Sequence, residues 1–337
     1  MKPQLHVLVP FWGLAGGVIK VLDYAQHGQR GGYDVTLWAP AAGTSEPLMT
    51  SLPVMERIRA GGVQFRVLED LAKVQLSEHD RLLFTEPAHA AIVDRIGAPA
   101  ERLIHLVQGT RHATPTWNNG LHYRLLHRPF VRIAVSEQVR SAIAPHVHPA
   151  LPLHLVPEGH DIDYFTVERQ AMNTTSPLRV LYNTWKSDLG DAVAKLCDPT
   201  EVVFTAIRSP MSWPTLRDHY RDADIFLAAP GPEEGFYLPG LEAMAAQCAV
   251  VMALVGGNEA YAVPGHNMVT ATFDDPEEHA AALSQLAGDG DLRSRVIAAG
   301  LITARERRLD QERTAALKIL RSPLENYDEI ASQEVAI

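Results

Sequence analysis

Cysteine is nearly absent from the 337-residue sequence, with only Cys197 and Cys248 present. Two thiols without metal spacing exclude a disulfide framework or a zinc ribbon, and they point to a reducing compartment. A basic excess is missing too. The 30 Lys and Arg against 40 Asp and Glu leave a formal net charge of −10, which argues against a chain that coats nucleic acid but leaves room for a local basic patch. No apolar run approaches the ~20 residues of a membrane-spanning helix. The opening MKPQLHVLVPF lacks the basic-then-apolar order of a secretion signal and enters a strand-like run directly, so a cytoplasmic location is expected. Internal repeats and low-complexity tracts are lacking. The 15 histidines form no H-E-x-x-H or Cys/His pattern, so no metal site is expected. The glycine cluster GLAGG lacks the G-x-G-x-x-G spacing, and no acidic residue ends a second strand where a nicotinamide cofactor would want one. No cofactor is therefore expected.

What is present is a regular alternation. The segments LHVLVPF, DVTLWAP, VQFRVLE, RLLFTE, RLIHLVQ and VRIAVS read as strands, with helical patterns such as GVIKVLDYAQHGQRGG and SEQVRSAIAPH between them. Short, nearly continuous apolar strands alternating with helices predict a parallel sheet covered on both faces. The rhythm restarts after the Pro-, Asn- and Thr-rich segment LPLHLVPEGHDIDYFTVERQAMNTTSP, which reads as a connection. The expected fold class is α/β, with two doubly wound Rossmann-like domains facing a cleft and the second trimmed by one helix and one strand. The boundaries are 1–155 and 156–305, with a C-terminal helix over 306–330 packing back on the first domain.

One stretch concentrates the chemistry. PEEGFYLPGLEAMAAQCAVV sets Glu234 before a turn and predicts Glu242 in the first turn of the following helix. A helix N-terminus offers unpaired N–H groups that suit phosphate or sugar oxygens, and Gly235 allows close approach of a ligand to the backbone. One carboxylate can accept the hydroxyls of a ribose and the other those of a second sugar. Such a ligand would lie at the carboxyl ends of the strands.

EEGFYLPGLEAMA resembles the E-x7-E segment of the retaining glycosyltransferases of family 4, which have the two-domain GT-B fold. HLVPEGHDIDYF is similar to that family's interdomain segment, with Glu158 in place of asparagine. RIAVSEQVRSAI and LAGGVIKVLDYAQHGQRGGYDVTLW resemble its Ala-Val-Ser step and its N-terminal Gly-Gly loop. The resemblance runs from about Leu5 to Arg305. It implies a nucleotide-diphosphate sugar donor, with Glu234 on the transferred sugar and Glu242 on the ribose. It also implies Gly16, Gly17, Gly235, Phe236, Tyr237 and Leu238 around the donor.

Four departures qualify this picture. Tyr237 stands where the family usually has glycine. Trp185 and Leu189 replace the arginine and lysine that neutralise the diphosphate, so Lys186 and Arg208 are the substitute candidates. Gln108 occupies the usual histidine position, with His112 four residues on as a second polar candidate. The second domain is short. Separately, Arg102 to Ser136 contains five arginines and no acid. Arg111, Arg124 and Arg128 could thus serve an anionic acceptor, such as a phospholipid-linked sugar, a sugar phosphate or nucleic acid, and peripheral membrane contact stays open. The leading expectation is a metal-independent hexosyl-, pentosyl- or deoxysugar-transferase. A non-catalytic GT-B binding subunit and a nucleotide-sugar epimerase or hydrolase are the alternatives.

Overall fold

A computed structural model describes residues 2–41, 49–168 and 177–322. The tail after Ser322, with the last residues of the helix expected over 306–330, lies outside them. The chain forms two compact units, Met1–Glu158 with Asp310–Ile337, and Gly159–Leu309.

The first unit holds a seven-stranded sheet of β1 (Gln4–Leu8), β2 (Asp34–Ala39), β3 (Gln64–Val67), β4 (Arg81–Phe84), β5 (Leu103–Val107), β6 (Val131–Ala134) and β7 (Leu153–Leu155). Its order is β3-β2-β1-β4-β5-β6-β7, and every pairing is parallel. Strands β4, β5 and β6 are buried along their whole length, which is why they read as unbroken apolar runs. The connecting segment is more structured than its composition predicts. Leu153–Leu155 pairs with Arg132–Ala134 as an edge strand, and its three residues, following Pro152 and soon followed by Pro157, are too short to show a strand period.

The second unit holds β8 (Leu178–Asn183), β9 (Val202–Ile207), β10 (Ile225–Leu227), β11 (Ala249–Met252) and β12 (Val269–Thr270). They form a five-stranded parallel sheet in the order β12-β11-β10-β8-β9. In both sheets the order reverses once, between β1 and β4 and between β8 and β10. Open α/β sheets bind ligands at such reversals, beyond the carboxyl ends of the strands.

The last described helix, Leu309–Leu320, belongs to the first unit from Asp310 on. Its Glu312 is buried against Lys20 of helix Gly16–Arg30, with Nζ 2.8 Å from Oε2, and Lys20 also meets Asp23 at 2.8 Å. Burial opposes the ammonium charge, but Asp23 and Glu312 outweigh it and raise the lysine pKa. His27 Nε2 lies 3.3 Å from the same Glu312 oxygen. No described helix is long and apolar enough to cross a membrane.

Candidate functional site

The reversal in the second sheet carries a cavity of about 240 Å³. Its walls come from the ends of β8 (Lys186, Ser187), β10 (Ala228 to Pro232) and β11 (Ala253), with Phe273, Asp274 and His279 closing one side. Lys186 Nζ lies 2.6 Å from Glu234 Oε1, and the Gly231 N–H donates to the same oxygen at 2.7 Å. The ammonium stands 5.7 Å from the centre of the Tyr237 ring. Tyr237 itself is buried, and burial pushes its hydroxyl pKa up.

This entrance is braced from behind. The 256–260 turn presses on it so closely that a Cβ at Gly257 would stand 2.4 Å from the Phe236 nitrogen. Asn258 holds the turn, donating to the Ala253 carbonyl at 2.7 Å and accepting from the Val255 N–H at 2.9 Å. Tyr261 donates its hydroxyl to the Tyr237 carbonyl at 2.7 Å. Gly235, Phe236 and Leu238 are all buried in this packing.

Glu242 is elsewhere. The helix begins at Leu238 with Pro239 in its first turn, which moves Glu242 into the second turn rather than the first. Proline presets the helical φ there, so the helix starts as early as the chain allows. Glu242 is 5% exposed, with Oε1 3.0 Å from His160 Nε2 and Oε2 accepting from Tyr220 Oη at 3.1 Å. The His160 ring stacks on Phe165 at 5.5 Å and meets Trp213 edge-on at the same distance. The E-x7-E spacing therefore gives one glutamate beside the cavity and one inside a buried polar knot. His160 and Tyr220 escaped the sequence reading because each is brought to Glu242 by tertiary packing, from 82 and 22 residues away.

Of the two substitute cations, Lys186 reaches the cavity. Arg208 is exposed and forms a fork on Asp191, at 2.7 Å and 3.0 Å. That bond, with a second from Tyr182, holds Asp191 down to about 2.

In the first unit Gln108 donates to the Gly17 carbonyl at 3.2 Å. A Cβ on Gly17 would stand 2.7 Å from Gln108 Oε1, so the glycine loop and the strand end need each other. Gly16 is exposed beside them. His112 is 2% exposed, and burial holds its pKa well below the usual range. It sits in a row of rings with His105, His122 and Trp117, a neutral packing group rather than a solvent-facing one.

The arginine-rich stretch is partly tied up, by one distant acid and by backbone carbonyls near and far. Arg128 pairs with Asp94. Arg132 is buried and donates to the carbonyls of Phe130, Leu125, Leu126 and Arg128, and Arg102 donates to the Leu76 carbonyl. Arg111 lies 5.0 Å over the Trp117 ring, and Arg124 is exposed. Among the described residues, no group of His, Cys, Asp and Glu could hold a metal ion.

Residues 186–289 match the family model described as glycosyl transferases group 1. No curated protein sequence matches the chain. Among solved structures, Anabaena HepE in complex with UDP and glucose is similar at a TM-score of 0.70 and 16% identity, with both chains covered in full. A sucrose-phosphate synthase from Thermosynechococcus elongatus is similar at 0.67 and 14%, over 98% of this chain and 100% of its own. A glycosyltransferase from Rickettsia africae is similar at 0.62 and 14%, over 98% and 99%. The 186–289 match falls on the unit that carries the Lys186–Glu234 cavity, and the structural likeness spans both sheets. Residues 186–289 thus carry the likeness to the group 1 glycosyl transferases, and the chain as a whole has the GT-B fold.

Proposed function

We propose that the protein moves a sugar from a nucleotide-diphosphate sugar to an acceptor hydroxyl, with retention of the anomeric configuration and without a metal ion. The observation that carries the reading is the meeting of Lys186 and Glu234 beside a cavity at the strand-order reversal, inside the segment matched by the group 1 family. The likeness to a protein crystallised with UDP and glucose supports a donor of that class.

In this reading Lys186 turns from Glu234 to the diphosphate and takes the part of the missing Arg/Lys pair. The amides at the N-terminus of helix Leu238–Ala245 add partial positive charge toward the phosphate oxygens. Glu234, freed from the lysine, accepts hydroxyls of the transferred sugar. Glu242 accepts the ribose hydroxyls through lone pairs that His160 and Tyr220 leave unused, since a carboxylate has about four acceptor sites. The bond from the anomeric carbon to the diphosphate oxygen breaks and its electron pair leaves with the diphosphate. The acceptor oxygen bonds to that carbon, and its proton passes to the departing phosphate. Charge on the leaving group is where the fixed cation contributes most, because preorganised charge needs no rearrangement during reaction.

The test is a panel of nucleotide-sugars screened for thermal stabilisation. A ligand at a hundred times its Kd adds ~2.7 kcal/mol. Product anomers are then identified by NMR, with and without EDTA. Retained configuration and undiminished activity in EDTA are expected. Loss in EDTA that a divalent ion restores would overturn the metal-free reading, and nucleotide binding without turnover would favour a non-catalytic subunit.

A further inference from the structure

The buried His160 ring is clamped. Phe165 stacks on it and Trp213 meets it edge-on, both at 5.5 Å. Its backbone is fixed as well, with the His160 N–H donating to the Arg307 carbonyl at 2.7 Å. Arg307 in turn donates from its guanidinium to the Ala260 carbonyl at 2.7 Å, in the turn that braces the cavity entrance. The ring makes one polar contact, from Nε2 to Glu242 Oε1 at 3.0 Å. Its Nδ1 is buried without a partner among the described residues. A proton on Nδ1 would be a buried donor lacking an acceptor, which is costly. The ring therefore keeps its proton on Nε2 and donates it to the carboxylate.

Tyr220 holds the other oxygen, its hydroxyl 3.1 Å from Glu242 Oε2 and 3.3 Å from the Pro239 carbonyl. The terminal torsion of an untethered glutamate is broad and roughly two-fold, so these two donors fix the plane of the carboxylate. A carboxylate has about four acceptor sites. One on each oxygen is filled, and one on each remains. Two free sites in a fixed plane match the two neighbouring hydroxyls of a ribose, whereas a 2′-deoxyribose has a single hydroxyl to offer.

We propose that His160 and Tyr220 are positioning residues that aim the Glu242 carboxylate, and that they make the donor site select a ribonucleoside diphosphate over its 2′-deoxy counterpart. The inference rests on the donor reading above, in which Glu242 meets the ribose. A site built to hydrogen-bond a hydroxyl rejects the analogue lacking it, because its own polar groups are then left unpaired. Without the His160 donor the carboxylate plane is no longer set, and the bond to the second ribose hydroxyl weakens. The ribonucleotide then loses affinity and the 2′-deoxynucleotide, which never made that bond, loses little. A histidine that served packing alone would affect both nucleotides equally.

The test is calorimetry on the full chain with UDP and 2′-deoxy-UDP as probes, with melting temperatures measured alongside. The wild type is expected to prefer UDP about tenfold or more. His160→Leu should cut that preference below about threefold, through weaker UDP binding. His160→Gln, which keeps an N–H donor near the place of Nε2, should retain most of it. Tyr220→Phe keeps the ring and loses the hydroxyl, and should lower the preference about threefold. It decides the question should the leucine variant fail to fold. The proposal is overturned by a wild type that does not distinguish the two nucleotides, by an unchanged preference in His160→Leu or Tyr220→Phe, or by equal weakening of both nucleotides. Those results leave the donor reading standing as long as UDP binds. Absence of UDP binding by the wild type sinks the donor reading and this inference with it.

Discussion

Among single residues, Lys186 separates a weak contact from a strong one. Its pair with Glu234 is half-exposed, with the lysine side chain 48% accessible, so in the free protein it contributes about 0–1 kcal/mol to stability. Once a diphosphate is bound, the same ammonium makes charge-assisted bonds worth ~1.5–3 kcal/mol. Lys186→Met should therefore leave the melting temperature within about two degrees of wild type and weaken UDP binding roughly ten- to a hundredfold by calorimetry. Arg208→Ala should change UDP affinity less than about threefold, because Arg208 spends its fork on Asp191 and its loss frees no cavity charge. A stronger effect of Arg208→Ala than of Lys186→Met would reverse the assignment. The sequence pointed to both cations and could not rank them, since their difference is a rotamer and a partner, not a spacing.

At the scale of elements, the E-x7-E stretch was read correctly as an entrance to a helix and incorrectly in its register. The difference has an energetic consequence. Glu242 ties helix Leu238–Ala245 to His160 and to Tyr220 of helix Trp213–Asp222. Its removal leaves two buried polar partners unsatisfied, each at ~1–3 kcal/mol. Glu242→Ala should lower the urea midpoint markedly even without ligand, whereas Glu234→Ala, beside an open cavity, should lower turnover with little loss of stability. Equal urea midpoints for the two variants would remove the structural part from Glu242. Strands β4 to β6 were legible because full burial leaves an unbroken apolar run. The edge strand β7 was not, because three half-buried residues near prolines carry no period.

For the molecule as a whole, the histidines divide the two units in their response to acid. His6, His89 and His122 are held near pKa 4 by burial, and His105 and His112 lie well below their usual range for the same reason. All five are in the first unit. Each is neutral when folded and takes up a proton near pH 6.5 when unfolded, so acid favours the unfolded state. Stability is fully present above about pH 6.5 and falls toward pH 4, at ~1.4 kcal/mol per pH unit for each histidine. Hydrogen exchange at pH 4.5 should show peptides from 82–134 losing protection before those from 178–252. The reverse order would contradict the neutral, buried state of the ring row. The GT-B fold was readable from alternation and motif order. The ring row was not, because histidine spacing along the chain says nothing about which rings stack.

The salt link between Lys20 and Glu312 also sets an order of events at the ribosome. Lys20 is made before Glu312, with the whole of the Gly159–Leu309 unit synthesised between them. Until then the nascent first unit must bury an ammonium with Asp23 and the charge of Glu158 acting on it but without Glu312, and breaking a buried ion group by withholding one partner costs ~3–5 kcal/mol. Of the two units, the one that holds Lys20 should thus be completed after the Gly159–Leu309 unit, in contrast to the usual N-terminal-first order. A chain stopped after Leu309 should show, in limited proteolysis, a second unit that resists cleavage and a first unit that does not, with the substitution Lys20→Met restoring part of the resistance.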